Sequence, residues 1–339
     1  MSIKKILWIL FIVPQIISAQ TIRPLVEGIN SSFRGLSVVS DDVIWVSGSN
    51  GTVGRSDDAG KTWSWISPAG YEKYDFRDIE AFDKERAIIM SVGSPAIILH
   101  TLDAGKSWSV VYTNNDPDIF LDGLSFWDSQ KGIIFGDPIR NALQILTTHD
   151  GGLTWKDISA NLTHIMTEGE ASFAASGTTI KTIKNGKVWI ATGGRESNIY
   201  SSADYGKNWT KSACPILQGR SSTGVFSVDF WNEKMGIVVG GDYLKDREYS
   251  NNILLTSDGG NTWERPKTPV HGFRSSVVYL TADLLLATGT SGTDISRDGG
   301  KNWINIDTGS FNVIQKAKNG KSIYLTGSKG NVAQLQLKN

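Results

Sequence analysis

Six times this chain repeats one octad, Ser/Thr-x-Asp-x-Gly-x-Thr/Ser/Asn-Trp, at residues 56–63, 101–108, 148–155, 202–209, 256–263 and 296–303. Nothing else in the sequence narrows the fold as far, because a chain made of equal units has to stack them or circle them. The residue types suit a tight turn between antiparallel strands. The carboxylates of Asp58, Asp103, Asp150, Asp204, Asp258 and Asp298 can accept hydrogen bonds from exposed turn N–H groups, the glycine can take a positive φ, and the tryptophan can fill the apolar gap beside the turn. These aspartates are expected to be structural.

A second repeat runs ahead of the first. Phe33, Phe76, Phe120, Phe173, Phe226, Phe273 and Phe311 each lead an alternating strand, followed by a second strand rich in small and β-branched residues, as at 43–47, 132–136, 188–192, 236–240 and 284–289. A third strand runs into the octad and its tryptophan opens a fourth. Seven units of four strands, at a period of about 40 to 50 residues, predict an all-β, seven-bladed β-propeller with four-stranded blades. The octads resemble the Asp boxes of BNR-repeat propellers, found in sialidases, some glucan hydrolases, the sortilin ectodomain and the photosystem II stability/assembly factors. In its leading Phe strand, Gly-ended second strand and Thr-x-Asp-Gly-Gly-x-Thr-Trp octad, the chain is most similar to the assembly-factor family. That resemblance implies a docking platform without known catalysis, which assists assembly of membrane protein complexes.

The ends of the chain fit a closed ring. Residues 311–339 offer three strands and no octad, while residues 21–26 form a short strand with no blade of its own. The N-terminal strand is therefore expected to complete blade seven and remove an exposed sheet edge. Ahead of it, Lys4 and Lys5, an apolar run and Ser18-Ala19-Gln20 read as a secretory signal peptide over 1–19, leaving 20–339 as a single propeller. No cysteine lies near that junction to accept a lipid. The expectation is an exported protein, periplasmic or secreted, with no membrane span after cleavage.

Composition excludes several function classes. Lys+Arg of 34 balance Asp+Glu of 34, so no global basic field points to nucleic acid. The single cysteine, Cys214, rules out an internal disulfide and a multi-cysteine metal site, and the four histidines lack metal-ligand spacing. There is no P-loop, and Gly193-Gly194-Arg195 and Gly240-Gly241-Asp242 suit turns better than a dinucleotide fingerprint. No cofactor and no metal are expected.

Function is expected on the face opposite the Asp boxes, where loops join second to third strands and one blade to the next. The longest intervals between leading phenylalanines surround blades three to five, which places 160–172, 214–225 and 240–252 there, with 136–140 nearby. Arg77, Asp122, Asp137, Arg140, Glu170, Arg195, Asp242, Tyr243 and Arg274 are the candidate binding residues, for a protein or glycan partner on blades two to six. An exported glycoside hydrolase is the alternative, since Asp122, Glu170 or Asp242 could supply the two flanking carboxyl groups that glycosidic cleavage needs. A sialidase would draw on Arg77, Arg195 and Arg274 with Tyr243 and Glu170. The Arg-Ile-Pro signature of sialidases is absent, and the Phe-Arg pairs continue with Gly, Asp or Ser.

Overall fold

The computed structural model describes residues 20–337; the expected signal peptide lies outside them. Seven antiparallel sheets form the seven blades. Blade one shows the unit: Phe33–Val38, Ile44–Gly48, Val53–Ser56 and Ser64–Ile66, paired in sequence order. Blade seven takes three strands from the C-terminal end and its outermost strand, Thr21–Val26, from the N-terminal end, with Thr21 opposite Gln336 and Ile22 opposite Leu335. The ring closes as the sequence predicts.

Five of the six Asp boxes close the same network, and in the fifth Gly260 O accepts from the Ser212 hydroxyl instead of the Trp263 indole. In the first, Asp58 Oδ1 accepts from Thr62 N at 2.9 Å and Oδ2 from the Thr62 hydroxyl at 2.6 Å. The Ser56 hydroxyl donates to Asp58 and accepts from Gly60 N, both at 2.9 Å, and Trp63 Nε1 closes onto Gly60 O. The left-handed backbone spreads over two positions rather than the glycine alone, with Ala59 at φ 62 and Gly60 at φ 78. Alanine or tyrosine at the fourth position, as at Ala104 and Tyr205, tolerates a conformation that glycine takes more easily.

Innermost strands register rung by rung around the axis. One rung is wholly apolar: Leu36, Ile79, Leu124, Ile180, Val228, Val277 and Ile314, each facing an aliphatic residue of its second strand. The next carries Ser37, Glu80, Ser125, Lys181, Asp229, Val278 and Gln315. Hydrogen bonds stitch neighbouring blades: in this rung the Ser37 hydroxyl accepts from Ala81 N and Asp229 from Tyr279 N, and two positions earlier in its strand Asp78 accepts from Leu124 N.

Blades four and five depart from the pattern. Phe173 does not lead the innermost strand of blade four, which is Ile180–Ile183. Between them, residues 174–179 cross the axis: Arg34 of blade one donates to Ala175 O, Ser176 to Ser275 O of blade six, and Thr178 bonds the Ser227 hydroxyl of blade five. Gly177 is packed so closely on Asp78 that a Cβ there would collide with the carboxylate. The channel is thus closed at its loop-face end. In blade five the outermost strand shrinks to a bridge between Leu255 and Glu264, and the short strands Glu170–Ala171 and Gly193–Gly194 extend the inner edge instead.

Candidate functional site

The innermost strands of blades one, two and three each carry a β-bulge one residue from their start, between Phe33 and Gly35, Phe76 and Asp78, and Leu121 and Gly123. The bulged residues are Arg34, Arg77 and Asp122. A bulge re-aims a side chain and loosens the ladder, so these three positions present charged groups beside the axis on the loop face, while the equivalent bulge of blade five, between Val225 and Ser227, carries Phe226. Arg34 was missed among the sequence candidates, although Phe33-Arg34 repeats the Phe76-Arg77 pair.

Around these bulges the structure gathers Arg77, Asp122 and Asp137. Arg77 Nε donates to Asp75 Oδ2 at 2.8 Å, and its guanidinium lies 5.9 Å from the Phe120 ring centre. Asp122 is fully buried, and neither carboxylate oxygen has a hydrogen-bond partner among the described residues. Burial, then repulsion from Asp137, holds its carboxyl well above the usual range, with Arg77 opposing. Asp137 is pushed up to about 6 by burial, although its Oδ1 accepts from Ser172 N at 2.8 Å. Asp122 therefore favours its protonated form more than an ordinary carboxyl does, and Asp137 is poised to titrate at about pH 6. Arg34 is held below the usual arginine range by burial and by Arg77.

The remaining candidates separate into two kinds. Glu170 is buried and saturated: Oε1 accepts from Thr192, Asn198 and Tyr200, and Oε2 from Thr167 N and the Lys211 ammonium. Asp242 is buried at the edge of blade five, where Oδ1 caps the Leu244 N–H and Oδ2 stands 3.7 Å from Arg220. Arg274 is fully buried on Asp294 at 2.6 Å, with further bonds to Phe273 O, Ser291 and His271 O. Arg274 sits two residues before the Ser276–Thr288 pair, whereas Arg77 immediately precedes the equivalent Asp78–Met90 pair. That offset of one position sends the side chain into the core rather than to the axis.

Arg140, Arg195 and Tyr243 are exposed. They share the loop face with Ile165, Leu244 and Tyr249, which are 77%, 72% and 60% exposed, and with Arg220 and Arg247. No carboxylate pairs with Arg140, Arg195 or Arg247 among the described residues. The long loops thus offer apolar side chains interleaved with uncommitted guanidinium groups.

The three carboxylates that could serve cleavage are held in different ways. Asp122, Glu170 and Asp242 sit in three separate settings, and no hydrogen bond joins any two of them. No group of three or more His, Cys, Asp or Glu suited to a metal occurs among the described residues.

Residues 25–116 match the family described as Photosynthesis system II assembly factor YCF48. The photosystem II assembly lipoprotein Ycf48 of Synechococcus sp. (strain CC9902) is 23% identical over 248 residues, covering 64% of this chain and 70% of that protein. A solved structure of YCF48 bound to D1 peptide superposes with a TM-score of 0.65 at 17% identity, covering 94% of this chain and 95% of the other. The GH74 xyloglucanase from Xanthomonas campestris superposes with a TM-score of 0.62 at 14% identity, covering 93% of this chain but 53% of the enzyme. At such identities the two structures establish shared architecture alone.

Proposed function

As a BNR-type propeller related to the photosystem II assembly factors, this chain is, we propose, a non-catalytic docking platform that holds a protein partner on the loop face of blades two to six. The observation that carries this reading is the exposed surface of Ile165, Tyr243, Leu244 and Tyr249 among Arg140, Arg195 and Arg247. Large apolar side chains beside arginine are the residues that dominate protein interfaces, and a polypeptide with apolar and acidic side chains complements both. The solved relative with its D1 peptide is a propeller of the same architecture holding a polypeptide, which supports a protein over a glycan. Export belongs to the same proposal, with residues 1–19 as the leader.

A photo-crosslinking amino acid placed at Tyr243, Leu244 or Arg195 tests the platform, with Leu102 and Leu153 at the Asp boxes as controls. Discrete protein adducts are expected from the loop-face positions alone. Equal adducts from both faces would remove the assignment, and turnover of a fluorogenic glycoside that disappears in Asp122→Asn would replace it with a hydrolase. N-terminal sequencing of the mature protein should begin at Gln20.

A further inference from the structure

The channel closed by residues 174–179 is a funnel of about 760 Å³ lined from that plug to the strand turns at 82–86, 127–129 and 317–319 on the Asp-box face. Its layers are ordered from floor to mouth. At the floor, polar groups are consumed in holding the plug, since the Ser227 hydroxyl bonds both Thr178 and Val277 N, and Asp78 accepts from Ile79 N and Leu124 N. Above it comes the apolar rung that contains Leu36, Ile79, Leu124 and Val228, and above that the rung of Glu80, Lys181 and Asp229.

The charges of that upper rung are mostly cancelled. Lys181 pairs with Asp229 at 2.7 Å and Lys318 with Glu80 at 2.6 Å, and Lys318 spends its remaining donors on Ser37 and Ala81 O. Lys316 is different. Half-buried in the funnel wall one rung nearer the mouth, it has no carboxylate partner among the described residues and one long hydrogen bond, 3.4 Å to Leu280 O. An ammonium with unused donors near the mouth, above a rung of paired charges and an apolar rung beneath it, is complementary to one negative head group on an apolar body.

We propose that the funnel is a second binding site, for a small amphipathic carboxylate that enters apolar end first and meets Lys316 with its head group. The volume lies within the range of small-molecule sites, and the plug separates this site from the loop face. It is independent of the docking platform, so either can fail alone.

The test uses 4-phenylbutyrate and its neutral amide as probes, followed by amide chemical shifts of the isotope-labelled protein. The carboxylate should saturate with shifts confined to residues 36–39, 79–82 and 315–319, and the amide should bind roughly tenfold more weakly. Lys316→Gln should lose the same factor for the carboxylate and none for the amide. Gln315→Trp, which fills the lumen from a half-buried position, should abolish both with an unchanged melting temperature. Absence of saturable shifts up to about 10 mM, equal affinity for both probes, or binding that survives Gln315→Trp would overturn the proposal.

Discussion

The two faces of the disc carry carboxylates that titrate in opposite directions. At the Asp boxes, hydroxyl groups and then backbone N–H groups hold Asp58 and Asp258 down to about 2, with Asp103 lowered likewise. Asp150, Asp204 and Asp298 work against the desolvation of partial burial and still end below the usual range through the same donors. On the loop face, burial drives Asp122 and Asp137 upward. In each of the six turns the aspartate is satisfied within the octad, although the Trp263 indole N–H of the fifth finds no partner among the described residues. The bulges beside the axis leave groups unsatisfied, which costs stability and leaves capacity to bind.

This contrast presumes one closed ring, and opening the ring should produce the largest effect. Deleting residues 20–26 removes the strand that pairs with Val332–Gln336 and takes Leu25 off Gly60 of the first Asp box. The melting temperature should fall by about 10 °C or more, and an unchanged curve would show that closure is not what holds the blades together.

Glu170 tests whether saturation or location decides a carboxylate's role, because it lies on the loop face yet is bonded as fully as any Asp box. Glu170→Ala should cost about 3 kcal/mol in urea denaturation by stranding Lys211, Tyr200 and Asn198, with Glu170→Gln losing less. A variant of wild-type stability would mean that its bonds are dispensable, and the catalytic alternative would regain its strongest residue.

Asp137→Asn should move stability the other way. An acid whose folded pKa lies above its unfolded value binds more protons when folded, so its destabilisation is absent below about pH 4 and complete above about pH 6. The variant keeps an acceptor for Ser172 N and removes the buried charge, so it should gain up to about 3 kcal/mol at pH 8 and almost nothing at pH 4. Equal gains at both pH values would place the effect in packing rather than charge.

The sequence made the closed ring and the Asp boxes legible because each repeat restates the same local chemistry, and six copies average out local ambiguity. Residues 21–26 could be assigned to blade seven because a missing strand and a spare strand match. What stayed hidden depends on a shift of one residue. Arg77 and Arg274 look alike in Phe-Arg pairs, yet one lies on a bulge beside the axis and the other is buried on Asp294. Phe173 carries the expected spacing, but the chain after it leaves the repeat to plug the channel, and no periodicity announces a segment whose partners are Arg34, Ser227 and Ser275. Lys316 was equally invisible, since its isolation is a property of the ring and not of its neighbours in sequence.

The smallest effect expected is also the sharpest check on the contrast between the faces. Asp298 accepts from Asn302 N at 2.9 Å and Asn302 Nδ2 at 2.7 Å, and takes the Ser296 hydroxyl at 2.9 Å. Asp298→Ala should cost about 1–2 kcal/mol at pH 7, because water replaces part of what is lost at this solvent-facing turn. Its folded pKa is depressed, so the contribution is present above the unfolded value near about 4 and is lost as pH falls through the lower folded value. Variant and parent should therefore converge under strong acid, where Asp137→Asn also matches its parent, and diverge in opposite senses as pH rises. If both substitutions moved stability in the same sense at pH 8, satisfaction of hydrogen bonds would not be what distinguishes the two faces.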